Sequence, residues 1–402
     1  MATRPSQNGG VKELRQRLAD YRMPPRTRVL LTAFFVVVTA VTTTLSGFRN
    51  AYRDLTPPID YDVFGQPGHD ILTLHWDRVF TDPILQAGPY ELIFFGIPHL
   101  LGVQGPLGWG IFYTVGGSLL AAALAYVVLR LVRPIAPDTA APIAAAVAAL
   151  AAASDTIMLT MTSGHPAEVA VPIMWLVAAM LARSNRPFAA GAVLGLSLGW
   201  ELWGILGAPV LLLAPRVRLR TVLLSAAGGL SALAVTFGGF LLAGPVTMFG
   251  FEWLVRDDSL VHLLLPDAET FSWPLRLIQA TVSVGAGVLV AWFLRGSRDA
   301  VWLAPLAVCA VRLTTDPVIA RYYFCTAIIL TLAGLAIALA MRSLLRLIAA
   351  IVIWNASVGL PTMGWLAPAI LVIVVAATVV VLALHRRREA ATSTSEVAVT
   401  VP

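Results

Sequence analysis

Trp365–Leu384, WLAPAILVIVVAATVVVLAL, runs twenty residues without a charge and is followed at once by His385-Arg386-Arg387-Arg388. As a helix, that length reaches across a hydrocarbon core of about 30 Å. It reads as a membrane span, and the arginines behind it as its cytoplasmic stop.

Comparable apolar runs recur upstream at Val29–Gly47 and at 107–129, 139–153, 166–182, 188–199, 201–214, 221–243, 275–294, 300–311, 322–341 and 345–359. Of the 402 residues 58% are apolar and 12% charged, with a mean hydropathy of +0.80. A water-soluble domain is near a quarter charged, so this composition excludes a soluble globule and a disordered chain. It also excludes a nucleic-acid binder, despite the net charge of +6. The expectation is an all-α polytopic membrane protein, a bundle of about twelve transmembrane helices. Some of these are short or re-entrant, 188–199 with 201–214 being a candidate broken unit.

Orientation follows from the basic residues. With the amino terminus in the cytoplasm, 21 of the 28 fall on inner segments, among them Arg130, Arg183, Arg216, Arg298 and Arg346. Most acids fall on the other side, so both termini are expected in the cytoplasm of a multi-pass plasma-membrane protein. The organisation expected is a basic amphipathic segment at 1–28 and a transmembrane domain at 29–385. That domain has outer loops at 48–106 and 244–274, and a disordered cytoplasmic tail follows at 386–402. Cys309 and Cys325 lie in apolar runs and read as small core residues.

Candidate chemistry gathers on the outer side. The first outer loop holds Asp60, Asp62 and Asp70 among seven acids, and its partly apolar content suggests helices lying at the interface. Asp60-Tyr61-Asp62 is a D-x-D that could hold a divalent cation through hard oxygen ligands, and metal binding stays unassigned. Ser163-Gly164-His165-Pro166-Ala167-Glu168 places His165 and Glu168 near the outer surface, on one face if the helix continues through them. Glu201 stands between Trp200 and Trp203 at a broken apolar run. Charges at membrane depth are functional candidates by default; the alternative for Glu168 and Glu201 is simple pairing with an arginine or a helix end. Arg312 and Arg321, beside Tyr322, suit a phosphate, because Arg presents a bidentate fork. Asp316 could neutralise one of them. The loop 244–274 reads as a lid or acceptor-contacting surface.

The middle of the chain resembles a family. Ser163-Gly164-His165, an apolar span, Arg183-Ser-Asn-Arg186-Pro187, then Ala190-Gly191-Ala-Val-Leu-Gly195-Leu and an apolar run ending at Ala214-Pro215-Arg216-Val-Arg218 is similar to polyprenol-phosphate-sugar-dependent glycosyltransferases of the GT-C fold. Actinobacterial polyprenol-phosphate-mannose-dependent mannosyltransferases are the members it resembles. Asp70-Ile71-Leu72 followed by Gly88-Pro89-Tyr90 is similar to that family's catalytic Asp and downstream Tyr-Pro-Pro-like turn. His165 and Glu201 depart from the family's Gln and Lys.

The resemblance implies an inverting transfer of mannose or arabinofuranose from a polyprenyl-phosphate donor to an extracytoplasmic glycan or glycolipid acceptor, as in cell-wall biogenesis. It implies Asp70 as the base, with Asp60 and Asp62 in reserve. Arg312, Arg321 and Tyr322 would bind the donor phosphate, and His165, Glu168 and Glu201 would line the sugar or acceptor pocket. Beyond a possible divalent cation it implies no cofactor; its partners are the donor, the acceptor and membrane lipids. The alternatives are a lipid-linked-sugar transporter or flippase, or a non-catalytic scaffold of the same shape.

Overall fold

The computed structural model describes residues 57–359 and 363–399, with side chains as far as Arg388. The basic segment 1–28 and the span expected at Val29–Gly47 lie outside the described residues. What is described is helical, apart from one pair of two-residue strands.

Two helices precede the bundle, α1 (Tyr61–Leu72) and α2 (Pro89–Leu100). They cross where Gly68 meets Gly96: a Cβ on Gly68 would lie 1.9 Å from the Leu92 carbonyl oxygen. Only hydrogen side chains permit that approach, and it fixes α2 against α1. Phe64, Phe80, Leu92 and Phe95 fill the core of this cap together with Phe237 and Phe240.

The bundle begins with α3 (Gly105–Val132), α4 (Ala140–Ala153) and α5 (Thr156–Ser163). Then come α6 (Ala167–Arg183), α7 (Pro187–Ser197), a 3-10 helix (Leu202–Leu213) and α8 (Leu219–Ala243). After α8, β1 (Trp253–Leu254) pairs antiparallel with β2 (Thr270–Phe271) around the short α9 (Leu260–Leu264). The chain ends with α10 (Trp273–Phe293), α11 (Ala300–Thr314), α12 (Phe324–Ala340), α13 (Leu344–Gly359) and α14 (Leu366–Val399).

Apolar runs and helices coincide along the bundle, but they differ in length. Five helices are long and apolar enough to cross a membrane: α3, α8, α10, α12 with its leading turn from Arg321, and α14 over Leu366–Arg388. The pair α4–α5 makes a sixth if it is one span, bent by 49° at Ser154-Asp155, where Asp155 adopts a left-handed conformation with φ of 61°. α7, the 3-10 helix, α11 and α13 are too short to cross alone. The expected twelve full crossings are therefore not all present as long helices among the described residues. The last helix also runs past the boundary expected at 385, because Glu389–Val399 contains neither Gly nor Pro to stop it.

Burial separates the helices into two classes. α11 and α12 are buried and, but for Arg312 near the end of α11, carry no charge, with Trp302 and Phe324 fully enclosed. α8 and α10 turn large apolar side chains outward, Leu242 of α8 at 91% and Trp292 of α10 at 69% exposure. A monomer in water does not carry such a continuous apolar face, whereas acyl chains solvate it.

Candidate functional site

A cleft of about 390 Å³ opens between the cap and one end of the bundle. Asp60, His165, Glu201, Arg276, Arg312 and Asp316 line it together with Trp203, Trp253, Tyr322 and Tyr323.

Asp60 immediately precedes α1. Its carbonyl starts the helix by accepting from Val63 and Phe64, while its side chain makes no capping bond. The carboxylate instead meets His165 Nε2 at 2.6 Å from Oδ2. The turn between α5 and α6 makes that contact possible. Gly164 holds φ of 89°, a conformation that suits glycine, and a Cβ there would lie 3.2 Å from Asp60. His165 also stacks on Tyr322, with ring centroids 4.3 Å apart and planes 11° from parallel.

The same turn corrects the expectation that His165 and Glu168 share one helical face. α6 starts only at Ala167, and Glu168 in its first turn points into the bundle. There Glu168 Oε2 accepts from the Thr326 hydroxyl at 2.6 Å, and Oε1 lies 3.5 Å from Arg312 Nη1. Glu168 thus pairs with Arg312 and does not line the cleft.

Glu201 reaches the cleft through backbone pairing. Residues 87–90 run beside 199–201 as a bridge between Ala87 and Glu201, with Gly88 N–H donating to the Trp200 carbonyl at 2.8 Å and Tyr90 N–H to that of Gly199 at 2.6 Å. This pairing sets Glu91, fully buried as the third residue of α2, beside Glu201. Ligand atoms of Glu91, His165 and Glu201 lie within 4.8 Å of one another. Burial, then the charge of Glu201, pushes the Glu91 carboxyl well above the ordinary carboxylate range. Glu91 Oε2 is buried with no hydrogen-bond partner, and two carboxylates with an imidazole form a donor set that suits a divalent cation. A proton or a cation is needed there to offset the paired negative charges.

Two guanidinium groups also line the cleft. Arg276 Nη1 donates to Asp316 Oδ2 at 3.1 Å and to Gln279 Oε1 at 2.8 Å, and its Nε has no partner. Its guanidinium lies 4.2 Å from the centre of the Trp253 ring, and that of Arg312 lies 4.2 Å from the centre of Trp203. Such stacking holds the planar forks in place. Asp316 also lies 3.9 Å from Arg312 Nε, so one carboxylate neutralises part of both arginines.

Of the expected site residues, Asp60, His165, Glu201, Arg312 and Tyr322 come together in the cleft. Asp70 does not line it; it lies two residues before the far end of α1 and accepts from Gln66 Nε2 at 2.8 Å. Asp62 is exposed on the outside of α1, so the D-x-D does not converge on one ligand, and Arg321 is exposed outside the cleft. Glu91 and Arg276 are additions. Each stands in an otherwise apolar helix, Pro89-Tyr90-Glu91-Leu92-Ile93 and Leu275-Arg276-Leu277-Ile278, and a lone charge in such a setting is the signal that marks them.

No protein-family model matches the chain, and no curated protein sequence matches it.

Proposed function

We propose that this chain is an integral-membrane glycosyltransferase of GT-C type that takes a sugar from a polyprenyl-phosphate donor and works at the extracytoplasmic face of the plasma membrane. The observation that carries this reading is the lining of the cleft. Two stacked arginines share it with the carboxylates of Asp60, Glu201 and Asp316 and with four aromatic rings, in a helical protein whose outward apolar faces suit a bilayer. The sidedness rests on the 21 basic residues assigned to inner segments, and the count of twelve spans belongs to the same proposal.

The arginines would hold the donor phosphate. Arg276 has an unpartnered Nε, and Arg312 is held from below by Glu168. Trp203, Trp253, Tyr322 and Tyr323 offer flat apolar faces to a sugar ring.

The base is Asp60 in place of Asp70, because Asp60 lines the cleft and Asp70 does not. The acceptor hydroxyl gives its proton to Asp60 as its oxygen attacks the anomeric carbon. The bond from that carbon to the phosphate oxygen breaks, and the polyprenyl phosphate leaves with the electron pair beside Arg276 and Arg312. Attack opposite the leaving group inverts the centre. His165 orients the Asp60 carboxylate. Glu91, His165 and Glu201 would hold a divalent cation, which would supply positive charge to sugar or acceptor hydroxyls.

The test is transfer of radiolabelled mannose or arabinofuranose from polyprenyl phosphate by the reconstituted protein. Transfer by wild type and by Asp70→Asn, with loss in Asp60→Asn, is the expected result. Uptake into vesicles without transfer would replace this reading by a carrier, and neither activity would leave a scaffold.

A further inference from the structure

A second cavity, of about 500 Å³, lies at the opposite end of the bundle from the cleft. α6 runs from Glu168, under the cleft, to Arg183 at this cavity, and α11 runs from Val301 at the cavity to Arg312 at the cleft. The two sites are therefore separated by about 20 Å of helix. Nothing in the proposed transfer reaction uses this end of the molecule.

Four arginines line it: Arg130 at the end of α3, Arg183 and Arg186 around the α6–α7 turn, and Arg298 before α11. No carboxylate lines it, and among the described residues none of the four is in an ion pair. The acid closest in sequence, Asp299, is buried and already committed. It accepts from Arg346 Nε at 3.1 and 3.0 Å and from the Ser297 hydroxyl at 3.0 Å. Arg183 is anchored through Nη1 to the Ser297 carbonyl and stands within electrostatic range of Arg298 and Arg386, with Asp299 offsetting part of their charge. Like charges gathered around one concavity repel unless an anion enters between them. The rest of the wall is apolar, with Val127, Leu131 and Ile337 reaching inward from α3 and α12. Tyr126 at the rim is 61% exposed, the setting of an interfacial tyrosine.

Several guanidinium forks above an apolar floor match a phosphate monoester carrying hydrocarbon chains. We propose that this cavity is a binding site for the phosphate headgroup of an anionic lipid, in the leaflet opposite the cleft. A general positive fringe, drawn to anionic lipid without a site, predicts something different. Arg216, Arg218 and Arg220 lie at the same end of the bundle and line no part of the cavity, so they serve as its control.

The experiment is titration of the detergent-purified full chain with dioctanoyl phosphatidic acid, followed by native mass spectrometry. Dioctanoyl phosphatidylcholine and inorganic phosphate serve as comparison ligands. Saturable binding of one phosphatidic acid is expected, and Arg130→Gln/Arg186→Gln should weaken it at least about tenfold through loss of charge-assisted hydrogen bonds. Arg216→Gln/Arg218→Gln should leave it within about twofold, the range of surface charges remote from a ligand. Equal weakening by both pairs, or equal binding of phosphatidylcholine, would overturn the site. Displacement by inorganic phosphate at the same concentration would overturn the lipid and leave a free-phosphate site. None of these readouts depends on sugar transfer, so the site stands or falls apart from the catalytic reading.

Discussion

Asp60 Oδ2 lies 2.6 Å from His165 Nε2, joining the residue that precedes α1 to the turn between α5 and α6. The contact is what makes Asp60 a base candidate. His165 fixes the carboxylate at the cleft, and the 33% exposure of the Asp60 side chain leaves it open to an acceptor. Asp60→Asn should lower the transfer rate by about 10²- to 10⁴-fold, the usual range for a general base, with donor affinity nearly unchanged. Asp70→Asn should transfer at the wild-type rate. The reverse pattern in a reconstituted transfer assay would return the role to Asp70.

Arg276 and Arg312 divide binding from stability. Arg276→Gln should weaken donor binding about tenfold or more by removing a charge-assisted contact, while Asp316 keeps Arg312 as a neighbour. Arg312→Gln should also destabilise the protein by about 3–5 kcal/mol, because it leaves the buried Glu168 carboxylate without its cation. Donor titration and thermal unfolding of both variants, measured side by side, check this. Equal stability of the two would mean that Glu168 does not depend on Arg312.

Glu91 gives a pH signature. Its folded-state carboxyl is raised by burial and by Glu201, so its contribution to stability is whole at acid pH. That contribution drains away as pH climbs through the elevated value, since the unfolded chain loses the proton first. In chelator-treated protein the unfolding temperature should fall as pH rises above the ordinary carboxylate range, and Glu91→Gln should flatten that slope. Parallel curves for the two proteins would refute the assignment.

The same trio predicts metal behaviour. One equivalent of a divalent cation should remain after purification without chelator, measured by elemental analysis, and Glu91→Gln or Glu201→Gln should lose it. Binding should release protons, because the cation takes the place of the Glu91 proton. Retention of the cation by both variants would remove it from this cluster.

The packing of α1 on α2 is testable without any ligand. Gly68→Ala would drive a methyl group into the Leu92 carbonyl, and overpacking of this kind costs about 1–3 kcal/mol. Because α2 carries Glu91, the variant should lose activity as well as stability. Full activity with native stability would show that the two helices separate freely.

The apolar runs placed most helices because hydropathy is a property of each segment alone. Crossing length is not: α11 is 15 residues long and still buried, since neighbouring helices cover what lipid would otherwise solvate. Which of Asp60, Asp62 and Asp70 lines the cleft is not legible in the sequence for a related reason. Ten residues along α1 is about 15 Å, and only the docking of α1 against the turn at Gly164 decides which end meets the bundle. Glu91 and Glu201 come together through backbone pairing between residues 87–90 and 199–201, a long-range contact with no local pattern. Arg312 and Tyr322 were legible because charge and aromatic side chains at a span's edge are unusual in themselves.

The central claim is that the cleft between Asp60 and the two arginines is the donor site. The direct measurement is a cryo-EM map of the full chain with a polyprenyl-phosphate sugar. The account predicts phosphate density beside Arg276 and Arg312, with the sugar's anomeric carbon turned toward Asp60. A lipid seated only among Arg130, Arg183, Arg186 and Arg298, with the cleft empty, would contradict it.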